Sequence, residues 1–419
     1  MSSASRTAGT RPVAPPLSEA HLVDPAATDA WLLAEAPVCY VPERDLYLVS
    51  GFAEATAVLT DHRRFSNRFG RVMRGYERLG PRARQVLERG WPPRDVLFTV
   101  DEPKHRSHRS IVSKAFSARR VSGLESHIRE IAAGLVAALP HDEPVDIVPA
   151  LSVPLPMTVI ADQLGVPRED LPLFKRWSDG VARELSGLIT DEDEQVRLTE
   201  LVVEFQHYFH ALIEQRRAEP RDDVLSDLVH GRDDDGRAFD DAQVLAFLQQ
   251  LLVAGNETTT SALTALVAQL AGDAELQARV RRDRDAIPTL VEEVLRLESP
   301  IQGMWRVAAE DVELAGVRIP AGALVLVRYL AANHDPARFD DPDACRLDRP
   351  KPRDHLAFGA GIHYCVGSAL ARLELRVACE LLVDHAAWIA PAWDELPQHP
   401  PSLLLHQLPS LPVRFTEAT

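Results

Sequence analysis

Lysine is nearly missing from this chain of 419 residues: only Lys104, Lys114, Lys175 and Lys351 occur, and acidic residues outnumber basic ones 62 to 46. The formal net charge of −16 excludes a nucleic-acid binder that relies on a broad basic face. Cysteine is as sparse, limited to Cys39, Cys345, Cys365 and Cys379, with no CxxC pair among them. That excludes a disulfide framework, a zinc ribbon and a redox dithiol. No apolar run approaches the ~18–20 residues that span a bilayer. The stretch Met1–Pro16 is rich in Ser, Ala, Thr and Pro and has no apolar core of a signal peptide. These absences lead to the expectation of a disordered lead-in over residues 1–20, a single domain over residues 21–419, no membrane attachment and a cytoplasmic location. There is no internal repeat, no long low-complexity linker and no glycine fingerprint for a flavin or nicotinamide dinucleotide. What is present is 46% hydrophobic residues, enough for a large core. The excess of Arg, Ala, Leu and Pro fits a high-GC bacterial genome.

Helical periodicity dominates. It predicts helices over 52–59, 102–116, 123–139, 153–164, 171–188, 191–219, 222–228, 273–282 and 286–297. The longest runs from Asp240 to Ala271, with acids in its first turn and Gly272 at its end. At 1.5 Å per residue it is about 48 Å long, and its apolar middle (Leu251, Leu252, Val253, Ala254) implies burial on all sides. Residues 45–51 read as a strand. Val312–Val327, with turns at Gly316 and Pro320-Ala321-Gly322, reads as hairpin strands. The segment from Phe65 to Pro93 mixes Gly, Pro and Arg with a helical fragment and reads as a long irregular loop, and Tyr364–Asp384 reads as the final helix. The fold class expected is mainly α with small β-sheets.

The most informative segment is Phe358-Gly359-Ala360-Gly361-Ile362-His363-Tyr364-Cys365-Val366-Gly367. Its glycines let the chain turn tightly and approach a flat ligand. A thiol at a helix start is biased towards thiolate, and a thiolate is a soft axial ligand for haem iron. A bare Gly-x-Cys would be an ordinary turn over a buried cysteine. Here the pattern Phe-Gly-x-Gly-x-His-x-Cys-x-Gly is filled at all six fixed positions. Inside the long helix, Ala254-Gly255-Asn256-Glu257-Thr258-Thr259 breaks local rules. Glycine costs roughly 1 kcal/mol relative to alanine in a helix, and a buried carboxylate needs a partner. A kink lined by satisfied polar residues is one reading, and a functional site is the other. Glu293 and Arg296 stand at i and i+3 on one helix face, about seventy residues before Cys365.

Together these three motifs closely resemble the cytochrome P-450 family, and the resemblance covers nearly the whole chain past residue 20. It implies haem b between the long helix and the cysteine loop, with Cys365 as the iron ligand and Phe358 and Gly359 against the ring. Ala254 and Gly255 would leave room for dioxygen. Thr258 would hold a hydrogen-bonded water, and Glu257 would relay protons from solvent. His105, Arg109, Arg306 and His363 match the family's propionate partners. The Glu293–Arg296 pair would lock the fold, but its usual third partner falls where this chain has Ala344 and Cys345. That leaves Arg338, Arg346 or Arg349 open. By position, Val253, Ile301, Gln302, Leu97 and Phe98 would face a lipophilic substrate, with Val96, Leu404 and Leu405 as further candidates. Each of these is equally a plain core position, and Gln302 alone could hydrogen-bond a substrate oxygen.

The activity implied is O2- and NAD(P)H-dependent monooxygenation (hydroxylation or epoxidation) of a lipophilic small molecule by a monomer. Electrons would come from a separate ferredoxin or flavodoxin and its reductase. A basic face of Arg106, Lys114, Arg119, Arg120, Arg372 and Arg376 would steer that partner, unless these are scattered solvated charges. The alternatives are a peroxide-driven haem-thiolate peroxygenase and a non-catalytic haem-binding protein that kept the fold.

Overall fold

The computed structural model describes residues 12–69, 79–185, 189 and 191–416. Its axis is the 32-residue helix Asp241–Gly272. The Asp240 carboxylate caps it by accepting from the Gln243 N–H at 2.7 Å, satisfying one of the free donors at the helix start. The two halves of this helix sit in different cores. Val244, Leu245, Leu248 and Leu252 pack with the helices Pro154–Gln163, Leu171–Leu185 and Glu192–Ala218. Leu263, Leu266 and Leu270 pack with Ile287–Glu298 and Ser368–His385. Each fully buried leucine contributes roughly 1.5–3 kcal/mol, so both halves are firmly held. The motif at residues 254–259 lies at the seam between the two cores.

The five-stranded sheet runs in the order Val38–Val41, Leu46–Val49, Leu324–Arg328, Gly303–Ala308, Phe65–Ser66. Only part of the expected hairpin forms. Val312–Leu314 pairs with Val317–Ile319 around Ala315 and Gly316, both at positive φ. Leu324–Arg328 instead leaves that hairpin and inserts between Leu46–Val49 and Gly303–Ala308. Val325, Leu326 and Val327 are buried on both faces, a central-strand pattern that only a sheet interior satisfies.

Other boundaries shift for local reasons. The last helix begins at Ser368 rather than at residue 364. The helix expected over 171–188 is described to Leu185, and residues 186–188 lie outside the described residues. The expected irregular segment contains the helix Pro81–Leu87, and residues 70–78 lie outside the described part. Of the expected lead-in, residues 1–11 also lie outside it. Residues 12–20 do not behave as a lead-in: Leu17 is buried against Leu22 and Leu46, and its N–H donates to His21 Nδ1 at 2.8 Å. No helix among the described residues is long and apolar enough to cross a membrane.

Candidate active site

A cavity of about 400 Å³ opens at the seam of the long helix. On one side it is lined by Val253, Ala254, Gly255 and Thr258, and on the other by Phe358, Gly359, His363 and Cys365. Leu97, Phe98, Ile301, Leu404 and Leu405 complete the apolar wall. The structure therefore brings together residues separated by more than a hundred positions in the chain.

Gly359 and Gly361 both take φ of +69°, a region that strains other residues. At Gly361 a Cβ would stand 2.6 Å from the Leu59 carbonyl oxygen, so the loop packs backbone to backbone. Gly367 is different. Its φ is −85°, and a Cβ there would make only an ordinary van der Waals contact, 4.0 Å from Cys365 Sγ. Starting the helix at Ser368 leaves the Gly367 and Ser368 N–H groups pointing at that sulfur. Burial raises the Cys365 thiol, and these two N–H groups with Arg109 and Arg372 pull it back. Cys39, Cys345 and Cys379 have raised thiols too, chiefly from burial. None of those three lines the cavity.

On the opposite wall the Thr258 hydroxyl donates to the Ala254 carbonyl at 2.8 Å, which leaves its oxygen lone pairs free to accept from the cavity. Ala254 is exposed to the cavity. Gly255 serves a second purpose: a Cβ there would meet Ile160 Cγ1 at 3.1 Å, so the glycine also permits the close crossing of two helices. Glu257 points away from the cavity. Its Oε1 accepts from Ser178 Oγ at 2.8 Å and Asn256 Nδ2 at 3.0 Å. Burial raises its carboxyl above the usual range, partly offset by Ser178 and by Lys175. Lys175 pairs with Asp179 on the outer turn of the same helix as Ser178.

Gln302 does not line the cavity. Its Nε2 donates to the Ser402 and Leu405 carbonyls at 3.0 and 2.9 Å, and its Oε1 accepts from Arg328 at 3.2 Å. With both amide ends engaged, it hangs the 402–405 loop instead of facing a ligand. Among the polar residues that do line the cavity is Gln250, whose Oε1 is buried with no hydrogen-bond partner. It lies one turn before Ala254. The sequence carried a signal for it, a polar residue in an apolar helix, that the pattern at 254–259 overshadowed.

The lock at Glu293 resolves to Arg349. Glu293 Oε1 accepts from Arg296 Nε at 2.9 Å and from Arg349 Nε at 2.8 Å, and Oε2 accepts from the Arg346 backbone N–H at 3.0 Å. The Arg346 side chain instead faces Asp341 and Asp348, and Arg338 pairs with Asp354.

The expected basic face is largely neutralised. Arg106 pairs with Glu102, Arg120 with Asp227, Arg372 with Glu292, and Arg376 with Glu125 and Glu380. Arg372 also lies over the Phe358 ring at 4.5 Å. Lys114 Nζ donates to the Arg232 carbonyl at 3.2 Å, so five of the six cations serve local contacts before any partner arrives.

A family model described as Cytochrome P450 matches residues 73–412 of this sequence. The chain belongs to the cytochrome P450 family. Cytochrome P450 109 of Bacillus spizizenii is 35% identical over 393 residues, 92% of this chain and 90% of that one. Among solved structures, CYP109Q5 from Chondromyces apiculatus superposes with a TM-score of 0.84 at 36% identity, covering 96% of this chain and 98% of that one. CYP109E1 from Bacillus megaterium, solved with testosterone, gives a TM-score of 0.79 at 33% identity, covering 94% and 99%. The protein is thus a cytochrome P450 monooxygenase acting on a small molecule, with the mainly α fold of that family and haem as its cofactor.

The residues present fit haem. Arg306 is almost fully buried, its Nη1 donating to the Trp305 carbonyl at 2.7 Å. His105 and His363 rings lie 4.3 Å apart between centroids. Both ring nitrogens of His363 and the Nε2 of His105 are buried without a partner. His363 is pushed down to about 2, first by burial and then by His105, Arg306, Arg109 and His62. A cluster of cations and bare imidazole nitrogens beside a cavity is an arrangement that an anion stabilises, and two propionates supply that charge.

Proposed function

We propose that this P450 oxidises an elongated lipophilic molecule carrying one hydrogen-bond donor, using electrons from NAD(P)H through a separate ferredoxin or flavodoxin system. The observation that carries the reading is the cavity walled by Ala254, Gly255 and Thr258 on one side and Cys365 on the other. Cys365 would hold the iron, since coordination to a cation displaces the thiol proton that burial otherwise retains. His105, Arg109, Arg306 and His363 would hold the propionates, and Phe358 and Gly359 would face the ring. Bound haem supplies oxygen activation and hydrogen abstraction.

The chain's own work is orientation and protons. Val253, Leu97, Phe98, Ile301, Leu404 and Leu405 exclude water around an apolar substrate. Gln250 Oε1 accepts its donor, an arrangement that disfavours analogues lacking it. The Thr258 oxygen accepts from a water beside the reacting centre. Glu257 passes protons inward from the Lys175–Asp179 surface through Ser178, and burial raises its carboxyl in the direction that favours holding a proton. The related CYP109E1, 33% identical and solved in complex with testosterone, supports steroids as the first compounds to screen.

The test is product formed per NAD(P)H oxidised with surrogate partners, after screening for compounds that shift the Soret band. Thr258→Ala should keep haem and NAD(P)H consumption but release more hydrogen peroxide and less product. Unchanged coupling in Thr258→Ala, or full turnover from hydrogen peroxide alone, would favour a peroxygenase.

A further inference from the structure

Behind the substrate-facing loop lies a group of side chains that the oxygenase reading does not use. Glu298 ends the helix Ile287–Glu298. His406 lies beside it, its Nδ1 donating to the Glu298 carbonyl at 2.8 Å and lying 3.6 Å from Glu298 Oε2. His399 stacks on His406 with ring centroids 3.6 Å apart and planes 14° from parallel. The donor atoms of the three side chains lie within 4.8 Å of one another.

The protonation pattern is what makes the group unusual. Because the His406 Nδ1–H is fixed on a backbone carbonyl, its Nε2 carries a lone pair, and that nitrogen is buried with no partner. His406 itself is more than nine-tenths buried. His399 repeats the pattern: it hydrogen-bonds the Gln407 backbone, and its Nδ1 is buried without a partner. A backbone carbonyl on the remote ring nitrogen is how metal-binding histidines are oriented and made more basic. The groups facing the cluster from neighbouring elements are Arg328, His334 and Gln269. Arg328 is already committed to Asp29 and Gln302.

We propose that Glu298, His399 and His406 bind one divalent transition-metal ion of the zinc class. Two imidazoles and one carboxylate suit a borderline cation and not calcium or magnesium, which take oxygen ligands. Zinc with bonds of about 2.0–2.2 Å holds tetrahedral donors roughly 3.4 Å apart. The present spacing therefore closes when His399, the more accessible ring, turns out of the stack. A solvent or substrate molecule would supply the fourth ligand. The ion would tie the helix end at Glu298 to the 399–406 segment. That segment carries Leu404 and Leu405 into the cavity and is already fastened by Gln302 and by Ser261 on the His406 carbonyl. Metal occupancy would thus set the mobility of one substrate wall without touching the haem.

The experiment uses untagged, haem-loaded enzyme stripped of adventitious metal, with Zn2+ alone as the probe. Haem occupancy keeps Cys365 unavailable to zinc. Equilibrium dialysis with elemental analysis should find one zinc per chain. His399→Asn and Glu298→Gln should each weaken it by about tenfold or more. His210→Ala, which removes the only other such cluster among the described residues, should leave it unchanged. Zinc should also slow amide exchange in peptides spanning 399–407. The red-shifted Soret band of the carbon monoxide complex shows that each variant is folded. Zinc retention equal in wild type, His399→Asn and Glu298→Gln, or no effect on exchange at 399–407, would overturn the proposal.

Discussion

Arg349 should hold the haem-side scaffold together, and Arg346 should not. The Arg349 guanidinium is 4% exposed. Besides Glu293 it donates to the carbonyls of Asp340, Asp341 and Ala344 at 2.9, 3.2 and 3.2 Å. Removing one member of a buried, hydrogen-bonded charge network costs about 3–5 kcal/mol. A domain's whole stability is about 5–15 kcal/mol, so Arg349→Met, which keeps the volume, should lose roughly a fifth of it or more. Arg346 meets Glu293 only through its backbone N–H, which alanine retains, and its side chain pairs with exposed carboxylates. Arg346→Ala should therefore cost less than about 1 kcal/mol.

Urea unfolding followed by haem absorbance separates the two variants. The pH dependence adds a second reading. Burial pushes the Glu293 carboxyl up, but Arg296, Arg349 and the Arg346 N–H outweigh it and hold it below its ordinary value. A carboxyl lowered by folding contributes stability above its unfolded value, and that stability is lost as pH falls through the folded one. The wild type should thus lose stability faster than Arg349→Met on acidification. An Arg346→Ala variant as damaged as Arg349→Met would refute the assignment.

Four further outcomes follow from the site. Cys365→Ala should abolish the strongly red-shifted Soret band of the ferrous carbon monoxide complex, whereas Cys345→Ala and Cys379→Ala should keep it. Single alanine variants of Arg109 or Arg306 should lose haem partly and the double variant severely, measured as haem per protein after gel filtration; full retention in the double variant would sink the propionate assignment. Gly255→Ala gains roughly 1 kcal/mol of helix propensity, but overpacking Ile160 costs about 1–3 kcal/mol, so stability should fall and Ile160→Val should recover part of it. Gln250→Leu should leave the carbon monoxide spectrum unchanged while weakening donor-bearing ligands in Soret titrations; equal affinities would place the polar contact elsewhere.

The sequence was most legible where covalent pattern and chemistry coincide. Residues 358–367 carry their own geometry, since two of the glycines sit at positive φ and the cysteine follows at a fixed offset. The long helix was legible because its apolar positions wrap all the way round. Contacts formed by chain reversal were harder to read. Three arginines near Glu293 look alike in sequence, and only the turn at 340–349 decides that one side chain points inward. Gln302 and Gln250 show the same limit. Both are amides in largely apolar surroundings, Gln250 with Gln249 beside it, but the 402–405 loop, about a hundred residues from Gln302, engages only the first. The hairpin over 312–327 failed for a related reason. Alternation within a strand says nothing about which partner strand buries its second face.

The seam between the two cores explains why the departures from local rules gather where they do. Leu263, Leu266 and Leu270 fix one half of the long helix, and Val244, Leu248 and Leu252 fix the other. Neither core needs residues 254–259 for its own packing, except for the Gly255 contact with Ile160. The helix can therefore tolerate a glycine, a buried acid and a hydroxyl bonded back to its own carbonyl without losing its course, because several kilocalories of burial on each side hold it straight. The same logic applies across the cavity, where the Glu292–Arg372 and Glu293–Arg349 pairs brace the base of the cysteine loop. The left-handed turns at Gly359 and Gly361 are thus held between rigid supports. The site's chemistry sits in the least self-sufficient stretches of the chain, held by neighbours whose only task is packing.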